Sequence, residues 1–296
     1  IDLIHNEGMW VIARLGPFVH GEWRNGGLPQ WVIDELGPKV RTNSPEYLEL
    51  TRKWYEQVLS IIVPRLITRR GPIIMVQLEN ELGSAGSRGD DIARGAVNPE
   101  ENTKHILFYH RIVREHGVDV PIIDINKFPG KENIENLIDA KGCYITSCFG
   151  GEGELHPLTT EKRNNHKRPL ISIETMGGMF VRYFDWPPYR HTNGYQGPIV
   201  QPELIEAITY HHLAEGYNGI NYYTFVDGQH PEGGAERMLP PRDMNFQAPI
   251  TVVGNLRESY RIIKRIGWFL RAFQQEILRS QPDANWMSAV SYGWAH

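Results

Sequence analysis

The sequence predicts an α/β fold in which the strands of a parallel β-sheet alternate with helical crossovers. Short apolar runs alternate with amphipathic stretches along the 296 residues, as they do where strands and crossover helices follow one another. The apolar runs are continuous, which is typical of parallel strands that are buried on both faces. With 41% hydrophobic and 22% charged residues, the composition is that of a globular protein.

Each element can be placed on the chain from these patterns. Residues 1–7 have the pattern of a helix end, and the predicted strands lie at 9–15, 72–78, 120–125, 142–149, 169–173 and 219–225. The predicted helices lie at 44–67, 101–116, 131–138, 201–216 and 254–273. Ser44 before Pro45 predicts an N-cap followed by proline at the first helical position, and Gly117 and Gly216 fit helix C-termini.

Two sheet architectures agree with this alternation. In an eight-stranded barrel, the six predicted strands would be the third to the eighth, and two strand–helix units would precede Ile1. A doubly wound open sheet also fits, although the glycine-rich residues 150–153 match its phosphate-binding fingerprint poorly. Helical periodicity stops near the C-terminus, so we expect one domain over 1–275 and the start of a further segment or second domain over 276–296.

Charge and motif content argue against several classes of partner. A balance of 31 basic and 35 acidic side chains gives a net charge of −4, which offers no electrostatic reason to bind nucleic acid. No run approaches the roughly 18 apolar residues of a membrane span. Neither HExxH nor Cys-x-x-Cys occurs, and His211 and His212 would lie on different faces of one helix, so we expect no metal and no cofactor. The sequence leaves oligomeric state and cellular compartment open.

Acidic residues follow three of the predicted strands. Glu22 follows the first within GPFVHGEW, Glu79 and Glu81 end the second in QLENE, and Glu174 ends the fifth in ISIE. In a barrel the C-terminal ends of the strands converge on one mouth, so these carboxylates would face the same space. Because two carboxylates around one glycosidic bond are what glycoside hydrolysis requires, the pattern predicts an enzyme acting on sugars.

Four segments carry a resemblance to the family 35 glycoside hydrolases, the β-galactosidase family: GPFVHGEWRNGGLPQWV, PIIMVQLENELGS, ISIETMGGMF and GINYYTF. The resemblance runs from Ile1 to about Phe273 in the same order. It implies a (β/α)8 TIM barrel with roughly the first two units missing from this chain, and a retaining exo-β-galactosidase. It also implies that Glu81 is the general acid/base and Glu174 the nucleophile, at the ends of the fourth and seventh barrel strands.

The resemblance implies sugar-binding roles as well. Asn80 would hold a ring hydroxyl beside the acid, and Glu22 would accept hydrogen bonds from galactose hydroxyls, helped by the backbone near Gly21. Tyr223 matches a family tyrosine near the nucleophile. One departure is the segment MNFQAP at 244–249, where the family often has Tyr-Asp-Tyr-Asp-Ala-Pro, so that a substrate tyrosine hydroxyl is lost at Met244 or Phe246.

This departure keeps alternatives open. The substrate would be a β-galactoside, or another β-glycoside such as a β-glucosaminide, and a catalytically silent carbohydrate-binding protein is the alternative from another class. Structural roles are also possible for the individual residues: Glu174 pairing with Arg182, Glu22 capping a turn or pairing with Arg24, and Tyr223 as plain core. A general acid that works near neutral pH needs a raised pKa, and we expect the negative charge of Glu174 to raise the pKa of Glu81.

Overall fold

The computed structural model describes residues 1–83, 98–126, 128–143, 169–179, 182–183, 195–196, 200–214, 216–232 and 243–280. The chain divides into two compact units, Ile1–Asp139 and Ala140–His296. Each unit contains a parallel sheet with helices following its strands. None of the helices in these described ranges is long and apolar enough to cross a membrane.

The first unit holds a four-stranded sheet. Its strands β1 (Val11–Arg14), β2 (Ile73–Gln77), β3 (Ile122–Asp124) and β4 (Leu137–Asp139) pair in that order, all parallel. Its helices are α1 (Asp2–Asn6), α2 (Gln30–Leu36), α3 (Pro45–Ile62) and α4 (Pro99–Glu115). Short 3-10 turns occupy Arg24–Gly27, Gly37–Lys39, Val63–Arg65, Ile67–Arg69 and Lys131–Asn133. Because the strands are parallel, the segments that follow them leave from one edge of the sheet.

Local signals start the two long helices of this unit. The Ser44 hydroxyl accepts a hydrogen bond from Tyr47 N at 3.3 Å, and Pro45 occupies the first turn of α3. Asn98 caps α4 in the same way by accepting from Glu100 N at 2.9 Å. The apolar faces of both helices pack on β2 in the main core, whose members include Tyr55, Leu59, Val76, Tyr109 and Ile112.

The second unit holds a three-stranded parallel sheet. Its strands β5 (Lys141–Cys143), β6 (Ile171–Met176) and β9 (Gly219–Tyr223) pair in that order. Two antiparallel pairs accompany it: β7 (Arg182–Tyr183) with β8 (Tyr195–Gln196), and β10 (Gly228–Gln229) with β11 (Asp243–Met244). The described helices are α5 (Pro202–Ala214) and α6 (Glu258–Arg279). Strand β6 is buried along its whole length, including its polar residues Ser172, Glu174 and Thr175.

The predicted helix at 131–138 is wrong. Lys131–Asn133 forms only a 3-10 turn, and Leu137–Asp139 is strand β4. The Lys131 ammonium lies 3.3 Å from Asp124 Oδ2 and 2.6 Å from Asp139 Oδ1. This partly buried ionic cluster, together with the pairing of β4 to β3, overrides a local helix propensity that is only a weak preference.

Other boundaries shift by a few residues. The predicted fifth strand extends to Met176, so Glu174 lies inside β6 instead of after it. The last helix continues to Arg279, across the predicted boundary between residues 275 and 276. Predicted strands at 9–15, 72–78, 120–125 and 219–225 contain β1, β2, β3 and β9. Residues 144–149 of the predicted fourth strand, the loop 150–153 and residues 281–296 lie outside the described residues.

Candidate active site

The predicted site residues lie at or near the C-terminal ends of parallel strands. Gly21 and Glu22 follow β1, Asn80 and Glu81 follow β2, Glu174 is inside β6, and Tyr223 ends β9. The first four belong to the first unit and the last two to the second.

In the first unit, the segments that follow β1 and β2 run side by side. Glu79 N donates a hydrogen bond to Gly16 O at 3.0 Å. Farther along, His20 Nδ1 lies 3.9 Å from Glu81 Oε2. Since His20 directly precedes Gly21 and Glu22, this contact brings the predicted sugar-binding turn beside the predicted acid/base.

Both segments contain non-glycine residues with left-handed backbone. The φ angles are 57° at His20, 50° at Glu22, 55° at Glu79 and 52° at Glu81. Such conformations cost on the order of 1–3 kcal/mol each and persist where surrounding contacts impose them, most often at functional sites. Side chains that hold these two segments therefore matter to the geometry of the site.

Glu79 and Arg41 form a fully buried ion pair behind Glu81. Arg41 Nε donates to Glu79 Oε1 and Arg41 Nη2 donates to Glu79 Oε2, both at 2.8 Å, and neither side chain is exposed. Burial raises the pKa of Glu79 above its ordinary value, although the Arg41 guanidinium and the Asn80 N–H oppose that shift. The bidentate geometry is that of a charge-assisted pair.

Hydrogen bonds fix which end of the Asn80 amide faces its neighbours. Its Oδ1 accepts from Gln77 Nε2 at 3.2 Å and from the Arg14 guanidinium. Both partners are donors, so the atom that they contact is the amide oxygen, and the NH2 group is the other end of the amide. Within the part of the chain that the structure describes, this NH2 group has no acceptor. It is therefore suited to donate to a ligand oxygen.

The expected upward shift at Glu81 is wrong in direction. Burial raises the pKa of Glu81, but the nearby His20 and the charges of Arg14 and Arg41 lower it by more, so that the pKa lies below its ordinary value. The causes are three basic side chains that come close only through tertiary contacts. The Glu81 side chain keeps 27% of its surface exposed, enough to meet a ligand.

In the second unit, Glu174 is held by the sheet. Its position on β6 pairs with Gly142 of β5, and the next residue, Thr175, pairs with Tyr222 of β9. The residue is 7% exposed. Strand β6 leads into Gly177 and Gly178, where a Cβ atom would come within 2.5 Å of Thr224 O and 2.0 Å of Phe246 O. Only glycine permits these backbone approaches after the strand.

Tyr223 contacts the segment that departs from the family pattern. Its ring meets Phe246 edge-on with centroids 5.3 Å apart, and Phe246 is 1% exposed. Asp227 fixes this segment, because its Oδ1 accepts from Phe246 N at 2.8 Å and its Oδ2 pairs with Arg257 Nη1 at 2.6 Å. Phe246 thus serves as packing beneath Tyr223.

Two of the structural alternatives concern Glu22 and Glu174. Glu22 is nearly buried at 9% exposure. The side chain of Arg182, the alternative partner of Glu174, lies outside the described residues. Among the residues that are described, no group of three or more His, Cys, Asp and Glu could hold a metal ion.

The sequence reasoning missed the residues that support Glu81. Arg41 lies 38 residues from Glu79 in the chain, in a polar stretch with no distinguishing pattern, so no local signal could have identified it. Asn126 follows β3, and its placement after a buried strand was a usable signal. His20 lies in the segment that follows β1, and its place in that segment was a similar signal.

Comparison with known proteins identifies the relatives of this chain. The profile of glycosyl hydrolases family 35 matches residues 1–268. The chain is 27% identical to a β-galactosidase of Canis lupus familiaris over 280 residues, covering 93% of this chain and 38% of that protein. It is also 27% identical to a β-galactosidase of Homo sapiens over 272 residues, covering 90% and 36%. The chain therefore spans less than two fifths of the length of these relatives.

Solved structures share the fold. A β-galactosidase from the psychrophilic Marinomonas ef1 superposes with a TM-score of 0.56 at 12% identity, over 94% of this chain and 53% of that one. A β-galactosidase from Bacillus circulans sp. alkalophilus gives a TM-score of 0.58 at 10% identity, over 94% and 48%. At such identities the likeness is one of fold.

Proposed function

The chain belongs to glycosyl hydrolase family 35, and from that premise we propose that it carries the active site of a retaining exo-β-galactosidase. The observation that carries the proposal is the strand end at Glu79, Asn80 and Glu81. There an amide donor and a partly exposed carboxylate stand together on strained, tightly held backbone. The names of the relatives support galactose as the sugar.

The proposed reaction is a double displacement. Glu174 attacks the anomeric carbon and forms a covalent glycosyl-enzyme while Glu81 donates a proton to the leaving oxygen. Glu81 then removes a proton from the water that hydrolyses this intermediate. The mechanism requires the two carboxyl groups to lie roughly 5 Å apart, the separation of a retaining pair. A crystal structure of the protein would test that separation, and a value near 8 Å or more would imply inversion.

Four residues are proposed to bind the sugar. Asn80 would donate its NH2 group to a ring hydroxyl, an assignment supported by the donors that hold its oxygen. Glu22 would accept from galactose hydroxyls, together with the backbone at Gly21. Tyr223 would act near the nucleophile, a role supported by its position at the end of β9, next to β6.

The proposal includes the finer architecture. The parallel strands would belong to a (β/α)8 barrel with β1 as its third strand, β2 as its fourth, β6 as its seventh and β9 as its eighth. This count takes the consecutive segments β4 and β5 as one strand. The shared fold of the two bacterial β-galactosidases supports it.

Two other functions remain candidates because Phe246 brings no hydroxyl where the family often has tyrosine. The first is hydrolysis of another β-glycoside, and the second is sugar binding without turnover. Activity on a panel of aryl β-glycosides separates these cases, with the β-galactoside expected to react fastest. Proton NMR of the first product should detect β-galactose before mutarotation. Initial α-anomer, faster turnover of a β-glucosaminide, or binding without hydrolysis would contradict the proposal.

A further inference from the structure

We propose that Glu79 is a positioning residue that, together with Arg41, anchors the backbone carrying Glu81. This inference rests on the proposed role of Glu81 as general acid/base. It gives a role to the other carboxylate of the Glu-Asn-Glu segment, to which the resemblance assigns none: Glu81 faces a ligand, and Glu79 holds Glu81 in place.

Burial removes Glu79 from the substrate and assigns its oxygens to the protein. Its side chain has no exposed surface, whereas that of Glu81 keeps 27%. Arg41 binds both carboxylate oxygens at 2.8 Å, and Oε2 also accepts from Asn80 N at 2.6 Å. Because its carboxylate accepts three charge-assisted hydrogen bonds from within the protein, Glu79 has a structural role.

The pair fixes both peptide groups that flank Asn80. The Asn80 N–H, in the peptide between residues 79 and 80, donates to Glu79 Oε2. The Asn80 carbonyl, in the peptide that leads directly to Glu81, accepts from Arg41 Nη2 at 2.8 Å. The ion pair therefore reaches the backbone at the residue before the proposed acid/base.

Arg41 also contacts an aromatic ring of the segment that follows β1. Its guanidinium carbon lies 3.5 Å from the ring centroid of Phe18, a residue of the segment that follows β1, in a cation–π arrangement. Phe18 precedes His20, which contacts Glu81. Through Arg41, the β1 segment and the β2 segment are tied to each other below the exposed carboxylate.

Asn126 also holds the backbone around residues 79–81, through hydrogen bonds to the residues just before and just after them. Its Oδ1 accepts from Leu82 N at 2.8 Å, and its Nδ2 donates to Leu78 O at 3.2 Å. These bonds bracket residues 79–81 at both ends. Between them, Glu79 and Glu81 adopt left-handed backbone angles, which persist where surrounding contacts hold them.

A defect in this anchor should have a specific kinetic signature. Proton transfer depends on the position of the acid, and a misplacement of about 1 Å costs on the order of 100-fold in rate. A good leaving group needs little protonation. Loosening the anchor should therefore slow poor leaving groups selectively, whereas a general loss of folded enzyme would slow all substrates equally.

The test compares Glu79→Gln with wild type on 2,4-dinitrophenyl β-galactoside and on methyl β-galactoside. Glutamine keeps the size of the side chain but loses the charge and the bidentate acceptor. We expect kcat/KM for the dinitrophenyl substrate to stay within about threefold and that for the methyl glycoside to fall on the order of 100-fold. Asp2→Asn is the matched control, because Asp2 forms an exposed bidentate pair with Arg65; both rates should stay unchanged.

A double variant protects the test against misfolding. Arg41→Met with Glu79→Met removes both charges, so neither is left buried alone, and the same selective loss is expected. Equal losses on the two substrates, or no loss on the methyl glycoside, would overturn the inference. Wild-type protein inactive on both, or Glu81→Gln without leaving-group dependence, would instead overturn the proposed function and this inference with it.

Discussion

Glu81 and Glu174, the two carboxylates proposed to act on one sugar, are held by different means. Glu174 lies within β6, where it pairs with Gly142 of β5, and its neighbour Thr175 pairs with Tyr222 of β9. Glu81 lies beyond the end of β2 on left-handed backbone. There Arg41 and Asn126 hold the chain through side-chain hydrogen bonds.

The difference indicates how each carboxylate responds to substitution nearby. A sheet position is set by many backbone hydrogen bonds, so no single side chain controls it. The acid/base depends instead on a few side chains that are distant in sequence. Substitutions around Glu81 should therefore change catalysis without touching the substrate, and substitutions around Glu174 should act mainly through the carboxylate itself.

The largest expected effect is that of Glu174→Gln. Loss of a covalent nucleophile should lower kcat on the order of 10⁵- to 10⁶-fold, whatever the leaving group. The sheet should keep the protein folded, with an unfolding temperature close to that of wild type by circular dichroism. Residual turnover that varied with the leaving group would contradict the assignment of the nucleophile.

Glu81→Gln should give a smaller and selective loss. General acid catalysis contributes about 10²- to 10⁴-fold, so kcat/KM should fall by that factor on lactose and survive on a dinitrophenyl galactoside. In Glu81→Gly, added azide should accelerate turnover and yield a galactosyl azide of retained configuration. If Glu81→Gln matches wild type on lactose, another residue is the acid.

Arg41→Ala should lower the stability of the protein, which shows how much the region around Glu81 depends on a single side chain. It leaves the Glu79 carboxylate buried without its partner, which costs about 3–5 kcal/mol in the free energy of unfolding. The exposed pair of Arg65 with Asp2 has the same chemistry, and Arg65→Ala should leave stability nearly unchanged. Urea unfolding of both variants measures the contrast. Similar losses in the two would mean that burial adds nothing.

The smallest effect expected is a shift in pH dependence. Proton donation requires protonated Glu81, and His20 helps to lower the pKa of that carboxyl. The kcat/KM on an unactivated galactoside should therefore fall as pH rises through this lowered pKa. His20→Asn tolerates the left-handed backbone and removes the imidazole that lowers the pKa of Glu81, so the falling limb should move to higher pH. An unmoved limb, or one moved to lower pH, would contradict the cause assigned to the shift.

Local sequence signals predicted much of the framework. The continuous apolar runs predicted the positions of β1, β2, β3 and β9, although the residues of β1 and β9 are only partly buried or exposed. The cap at Ser44 predicted the start of α3, because capping involves neighbours only. The family resemblance, carried by long segments, is matched by the family profile over residues 1–268.

Properties that depend on tertiary contacts could not be predicted in this way. Lys131 opens a stretch that looks helical, yet it lies between Asp124 and Asp139. The lowered pKa of Glu81 comes from His20, Arg14 and Arg41, which are distant along the chain. For the same reason, the sequence assigned Glu81 by resemblance but gave no role to Glu79, whose full burial and pairing with Arg41 come from tertiary contacts.

Covalent trapping tests the central claim, that Glu174 is the nucleophile of a retaining β-galactosidase, most directly. The protein is incubated with 2,4-dinitrophenyl 2-deoxy-2-fluoro-β-galactoside, digested with protease and mapped by mass spectrometry. We predict one added fluorogalactosyl group per chain, on the peptide that contains Glu174, with loss of activity in parallel. A label on Glu22 or Glu81, or turnover of the galactoside without any trapped intermediate, would contradict the account.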